Sequence, residues 1–192
     1  DTVKSHGART ILVGDNYDEA CAYATQYAEK ESLDFIHPYD DPDIIAGQGT
    51  IGLEIVRQHA DFIDAVFVPV GGGGLIAGVG SIVKYLSPNT KVIGVEPEDA
   101  ASMALALKNG RRDSLEHVGI FADGVAVRRV GDETFRLCQK YVDEVDTGQL
   151  IEKAIQGMVH SLDPHSSLLP PEAFEDLRID TKGNFTGIGI SC

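Results

Sequence analysis

Tryptophan is absent from the 192 residues, cysteine occurs three times, and positive charge is scarce: 16 lysines and arginines face 30 aspartates and glutamates, a formal net charge of −14. So few cations exclude nucleic acid as a partner, because phosphate neutralisation needs a basic face. They argue equally against an anionic membrane surface. Cys21, Cys138 and Cys192 lie far apart and form no CxxC pair, which excludes a zinc ribbon or a thioredoxin-like redox motif. A reducing compartment fits this cysteine usage: the cytoplasm, or an organelle after removal of a transit segment. No apolar run approaches the ~18 residues of a transmembrane helix. The start, Asp1-Thr2-Val3-Lys4, has neither a signal-peptide core nor an initiator methionine, so the chain is expected to begin inside a longer protein.

What is present is alternation. Residues 10–14, 34–37, 65–70 and 91–96 are short apolar runs that read as strands. Helices are expected over Tyr17 to Lys30, with Ala20, Ala24 and Ala28 on one stripe, near residues 44–58, and from the glycines at 71–74 to about Leu86. Two more are expected over about Ala100 to Lys108, closed by Asn109-Gly110, and over roughly Asp132 to Val142. Continuous apolar strands between helices imply a parallel sheet covered on both faces. Beyond Asp146 the texture changes. Leu150, Ile151, Ala154, Ile155, Met158 and Leu162 mark an amphipathic helix over 147–162, then comes a Pro-rich stretch and a Gly-alternating end.

The richest motif is Val70-Gly71-Gly72-Gly73-Gly74-Leu75, between a strand and a helix. Glycines at a helix N-terminus let an anion approach backbone N–H groups, and the helix dipole favours it. A tight turn alone would need one or two glycines, so four favour a bound phosphate. The chemistry leaves two phosphates open. Gly72-x-Gly74-x-x-Ala77 with Glu96 at the end of the next strand also fits a dinucleotide fingerprint, which keeps a nicotinamide-binding module as a rival.

Longer runs separate the two. Asp43-Ile-Ile-Ala-Gly-Gln-Gly-Thr-Ile-Gly-Leu-Glu-Ile55, Phe67-Val-Pro-Val-Gly-Gly-Gly-Gly-Leu-Ile-Ala-Gly78, Val92-Ile-Gly-Val-Glu-Pro-Glu-Asp-Ala-Ala101, Phe121-Ala-Asp-Gly-Val-Ala-Val127 and Gly131-Asp-Glu-Thr-Phe-Arg-Leu-Cys-Gln139 occur in order. Together they resemble threonine dehydratases, near serine racemases, among pyridoxal-phosphate enzymes of fold type II. The resemblance implies a partial three-layer α/β domain of tryptophan-synthase-β-like architecture with a mainly helical C-terminal tail. Residues 1–33 would end its small domain, and 34–145 would belong to its large domain. The cofactor pyridoxal 5'-phosphate would be held by Gly71, Gly72, Gly73, Gly74 and Leu75, with Gly124 beside its ring. The reaction implied is loss of water from threonine, or its relative serine, giving 2-oxobutanoate and ammonia from threonine. The residues matching Glu96, Ala100 and Ser102 help hold a cation in the racemase branch; Ser102 replaces an acid there, so no metal is expected, and Glu96 reads as a solvated strand end.

The family's cofactor lysine lies in a Ser-Phe-Lys-x-Arg-Gly context, and none of Lys4, Lys30, Lys84, Lys91, Lys108, Lys140, Lys153 or Lys182 matches it. The asparagine and serine that hold the cofactor's hydroxyl and ring nitrogen in the family also have no match. No catalytic residue is therefore assigned, and the chain by itself is expected to be inactive as a lyase.

Ala154-Ile-Gln-Gly-Met-Val-His-Ser-Leu-Asp-Pro-His-Ser-Ser-Leu168 and the run from Phe174 to Gly189 resemble the N-terminal region of carboxyl-terminal processing proteases, entering a PDZ domain. This sets 146–192 apart as a tail, with a junction near 141–147 and a noncatalytic scaffold as an alternative role. His160 and His165 fall on different sides of a helix that Pro164 ends, so turn roles are expected, not a metal. Ser166 and Ser167 lack a G-x-S-x-G elbow. His6, His37, His59 and His117 stand isolated in sequence. Strand edges left unpaired predict association between copies.

Overall fold

The computed structural model describes residues 2–15, 17–59, 61–119, 122–146, 148, 150, 151, 155 and 158. The chain divides into two compact units, Asp1–Glu144 and Val145–Cys192. The first contains α1 (Thr2–Ser5), α2 (Tyr17–Glu31), α3 (Pro42–Gln58), β1 (Ala65–Pro69), α4 (Gly74–Leu86), β2 (Lys91–Val95), α5 (Ser102–Asn109) and α6 (Asp132–Tyr141). Short 3-10 turns occupy Glu98–Ala100 and Asp123–Val125. In the second unit the described positions Gly148, Leu150, Ile151, Ile155 and Met158 are helical; apart from Ile155 and Met158, the protease-like segment lies outside the described residues, as do His160, His165, Ser166, Ser167 and Cys192.

A βαβ unit organises the first unit. β1 and β2 pair in parallel, from Ala65 opposite Lys91 to Pro69 opposite Val95, with α4 as the crossover. Pro69 has no N–H, and the ladder resumes one residue later, where the Val70 N–H donates to the Val95 carbonyl at 3.0 Å. The core lies between this pair and its helices. Val68, Val70, Val92 and α4 residues Ile76, Ala77, Val79 and Val83 are buried with Met103, Ala106, Val130 and Cys138.

Two expected strands are not strands. Residues 10–14 and 34–37 run irregularly, and Leu12 is 92 % exposed. A strand exists by exchanging hydrogen bonds with a neighbour, and among the described residues none lies beside either run. Ile11 and Val13 instead flank a groove with Ala20, Ala24 and Ala28 of α2. The five helices expected before residue 146 are found within two residues of their expected bounds, and α1 was not expected. α3 begins early because Pro42 suits the first helical position and the Asp41 side chain accepts from the N–H groups of Asp43 (2.9 Å) and Ile44 (3.1 Å). α5 ends on Gly110 in the left-handed region, φ 66°.

Two of the three glycines of the Ile-Ala-Gly-Gln-Gly-Thr-Ile-Gly run, Gly49 and Gly52, are packing devices. A Cβ on Gly49 would lie 3.0 Å from Ile82, and one on Gly52 3.0 Å from the Val79 carbonyl. On the facing helix, a Cβ on Gly78 would overlap the Ile45 carbonyl and lie 2.7 Å from the Gly49 nitrogen. α3 and α4 thus meet backbone to backbone. Gly47, on the same helix, has open space around it. Gly78→Ala should therefore destabilise the fold by about 1–3 kcal/mol, whereas Gly47→Ala should stabilise it by about 0.5–1 kcal/mol. Urea unfolding midpoints check this pair; equal shifts in both variants would refute the close-contact account.

Candidate cofactor-phosphate site

The glycine run joins β1 to α4 at one end of the core. Gly73 has φ 96°, which favours glycine strongly, and it is the N-cap of α4. Each glycine also has a neighbour that crowds the space a side chain would take. A Cβ on Gly71 would lie 3.0 Å from Val125 Cα, and one on Gly72 would overlap the Tyr39 ring at Cγ and both Cδ atoms. One on Gly73 would meet Met103 Cε at 2.5 Å and Thr134 Cβ at 2.9 Å, and one on Gly74 would meet Tyr39 Cβ at 3.0 Å. Four consecutive glycines are thus explained by close packing, and their number alone no longer argues for an anion.

The N-termini of the helices make a stronger case. Asp41 caps α3. Glu96 reaches α5: its Oε1 accepts from the Met103 N–H at 2.9 Å and its Oε2 from the Ala104 N–H at 2.8 Å. Asp40 reaches α6: its Oδ2 accepts from Asp132 N at 2.8 Å, and its Oδ1 from Glu133 N at 2.9 Å and Thr134 N at 3.2 Å. Among the described residues no side chain accepts from the first N–H groups of α4. Of α3 to α6, α4 is the helix whose N-terminal N–H groups donate to no carboxylate among the described residues.

That end opens into a cavity of about 450 Å³. Gly71, Gly72, Gly73, Gly74, Leu75 and Gly124, all singled out in sequence, line it together with Tyr17, Tyr39 and Asp123. Gly124 has open space at its Cβ position. Burial pushes the phenols of Tyr17 and Tyr39 up from their ordinary value, so both stay protonated near neutral pH and neither serves as a general base there. Among the described lining residues there is no lysine.

Three placements were not foreseen. Glu96 is a partly buried helix-capping carboxylate, not a solvated strand end, and both its oxygens are engaged. The dinucleotide fingerprint needs that acid to accept from a ribose, so its engagement counts against the nicotinamide rival. Ala100 and Ser102, 1 % and 0 % exposed, sit inside the core, and among the described residues no group of three or more potential metal ligands gathers. His37, isolated in sequence, organises a loop: its Nδ1 accepts from Asp40 N at 2.9 Å, and its ring meets Tyr39 edge-on at 4.5 Å. Its partners lie two and three residues away, and a His-Pro-Tyr-Asp run ahead of a helix was the available signal.

Comparison with known proteins agrees with this geometry. The pyridoxal-phosphate dependent enzyme family matches residues 1–161. The chain belongs to that family. It is 58 % identical over 144 residues, 75 % of this chain and 24 % of the relative, to the chloroplastic threonine dehydratase 1 biosynthetic of Solanum lycopersicum. It is 49 % identical over 177 residues to a biosynthetic L-threonine dehydratase of Burkholderia multivorans, covering 88 % of this chain and 35 % of that one. The chain thus spans about a quarter to a third of these relatives. Among solved structures, threonine deaminase isoform 2 of Solanum lycopersicum aligns with a TM-score of 0.70 at 55 % identity, over 73 % of this chain and 41 % of that chain. Serine racemase of Dictyostelium discoideum aligns with a TM-score of 0.63 at 31 % identity, over 83 % of this chain and 50 % of that chain. The α/β architecture with a parallel sheet is therefore that of the fold-type-II pyridoxal-phosphate enzymes. The uncapped helix and its cavity fit the family's cofactor.

Glu96 gives the site's surroundings a pH signature. Burial raises its carboxyl above the ordinary 4.5, against the lowering effect of the Met103 and Ala104 N–H groups. A raised folded value means that the stability contribution is complete below about pH 4.5 and is lost as pH rises through the folded value. Chain stability, read from urea midpoints from pH 4 to 7, should therefore fall more in the wild type than in Glu96→Gln. Parallel curves would show that Glu96 is not titrating as described.

Proposed function

We propose that this chain is the phosphate-holding part of a pyridoxal-phosphate lyase that converts threonine to 2-oxobutanoate and ammonia. The uncapped N-terminus of α4, opening on the cavity, carries this reading. When bound, pyridoxal phosphate supplies an electron sink for the α-carbon of an amino acid. The N–H groups of Gly71 to Leu75 would hold its phosphate, and Gly124 would leave space for its ring. Tyr39, packed on Gly72 and Gly74, keeps the loop rigid. With Tyr17 and Tyr39 protonated, the described lining offers no cationic or neutral amine to move the α-proton, so the chain by itself binds without turning over. Threonine as substrate rests on the names of the relatives and on the Gly131 to Gln139 run. Those names also favour a place in amino-acid biosynthesis, and the cysteine usage suits the cytoplasm or an organelle interior.

Titration of the purified chain with pyridoxal phosphate and with pyridoxal tests the reading. The phosphorylated compound should bind more tightly, borohydride should leave no stoichiometric adduct on one lysine, and threonine should yield no 2-oxobutanoate. Equal affinity for the two compounds would refute the phosphate site. A single reduced lysine with turnover would show that the chain is a complete catalyst.

For residues 146–192 we propose a different origin, in a processing-protease N-terminal region. The distinctive Leu162-Asp-Pro-His-Ser166 core supports it, as does the division between Glu144 and Val145. The family match, which runs on to residue 161, weighs against it. Limited proteolysis with mass readout should cut first within 141–147 and leave a stable piece ending there. A stable piece that keeps residues up to 161 would defeat the proposal.

A further inference from the structure

The glycine loop is held from behind by a hydrogen-bonded chain that the phosphate reading does not use. The Gly72 carbonyl accepts from Thr134 Oγ1 at 2.7 Å and, more weakly, from the Gly131 N–H at 3.4 Å. Thr134 is 0 % exposed. Its own N–H, with those of Asp132 and Glu133, donates to the Asp40 carboxylate. The Asp40 N–H in turn donates to His37 Nδ1, and the Tyr39 hydroxyl donates to the Arg129 carbonyl at 3.3 Å. The segment 37–40 and the start of α6 are thereby locked together across more than ninety residues of sequence.

This lock acts on one peptide plane. In a trans peptide the C=O and the following N–H point in opposite directions. A hydroxyl that fixes the Gly72 carbonyl toward α6 therefore turns the Gly73 N–H away from α6. Gly73 occupies the left-handed region and is flanked by glycines, so its backbone has little intrinsic preference of its own. Something outside the loop must choose the orientation. Thr134 is the buried side chain positioned to do so.

We propose that Thr134 is a positioning residue for phosphate selectivity: its hydroxyl, anchored through the α6 N-terminus by Asp40, aims the Gly73 N–H at the cofactor's phosphate. This rests on the phosphate reading above. It predicts that the hydroxyl matters to phosphorylated ligands and not to their unphosphorylated counterparts. A merely structural Thr134 would affect both alike.

The test compares wild type, Thr134→Val and Thr134→Ser in the full chain. Dissociation constants are measured for pyridoxal 5'-phosphate and for pyridoxal, and the Gly73 amide resonance is followed without ligand. Thr134→Val should weaken pyridoxal 5'-phosphate about tenfold, the loss of about one well-placed hydrogen bond, and leave pyridoxal within about twofold. It should also shift the Gly73 amide, and Thr134→Ser should restore both readouts. Thr134→Ala, equally free of a hydroxyl, carries the comparison if the valine variant does not melt cooperatively. An unmoved Gly73 amide, or equal weakening of both ligands, overturns this inference and leaves the phosphate site standing. A wild type that binds the two ligands equally overturns the phosphate reading itself, and this inference with it.

Discussion

The first unit depends on one carboxylate. Asp40 accepts three N–H groups at the start of α6, and so joins the segment before α3 to a helix far along the chain. Without it, the glycine loop would lose its backing on two sides, because Tyr39 and Thr134 are the groups that Asp40 places against it. The adjacent Asp41 caps α3. Two neighbouring acids thus fix two helices, one local and one distant. Deleting a buried or half-buried acceptor of several N–H groups leaves those donors unsatisfied, which costs more than the bonds themselves contribute.

The same network explains what was legible in the sequence. The helices were, because their signals are local: the apolar period, Pro42 after Asp41, and Asn109-Gly110 at a helix end. The β1–α4–β2 unit was legible for the same reason, since a buried strand and the glycine turn are contiguous. The strands expected at 10–14 and 34–37 were not strands, because a run such as Thr-Ile-Leu-Val-Gly has the composition of one without specifying a neighbour. His37, Asp40, Glu96 and Thr134 were misread or missed. Asp40 and Thr134 each find partners more than sixty residues away, and nothing in a single sequence marks such a pairing.

The candidate site shows a related asymmetry. All six residues singled out for the cofactor line one cavity, yet the reason first attached to four of them was incomplete. A glycine run at a helix start reads as an anion site, while here every glycine also accommodates a neighbour's side chain or backbone. The two explanations are separable. Packing accounts for the missing side chains and φ for the turn at Gly73. Neither accounts for a helix whose N-terminal donors meet no acceptor side chain among the described residues.

That last contrast has an electrostatic consequence. Carboxylates are drawn to helix N-termini because both the unpaired N–H groups and the dipole favour them, and α3, α5 and α6 each hold one. Any carboxylate near α4 would compete with a phosphate for the same donors. Asp123 lines the cavity itself, and Asp40 comes close to the loop because it follows directly on Tyr39, which packs against Gly72 and Gly74. The Asp40 charge is turned instead into the N-terminus of α6, where the opposite partial charge offsets it. The carboxylate can therefore brace the glycine loop while its own charge is offset at α6. Had the bracing come from an uncompensated acid, the rigidity of the loop and its affinity for an anion would have opposed each other.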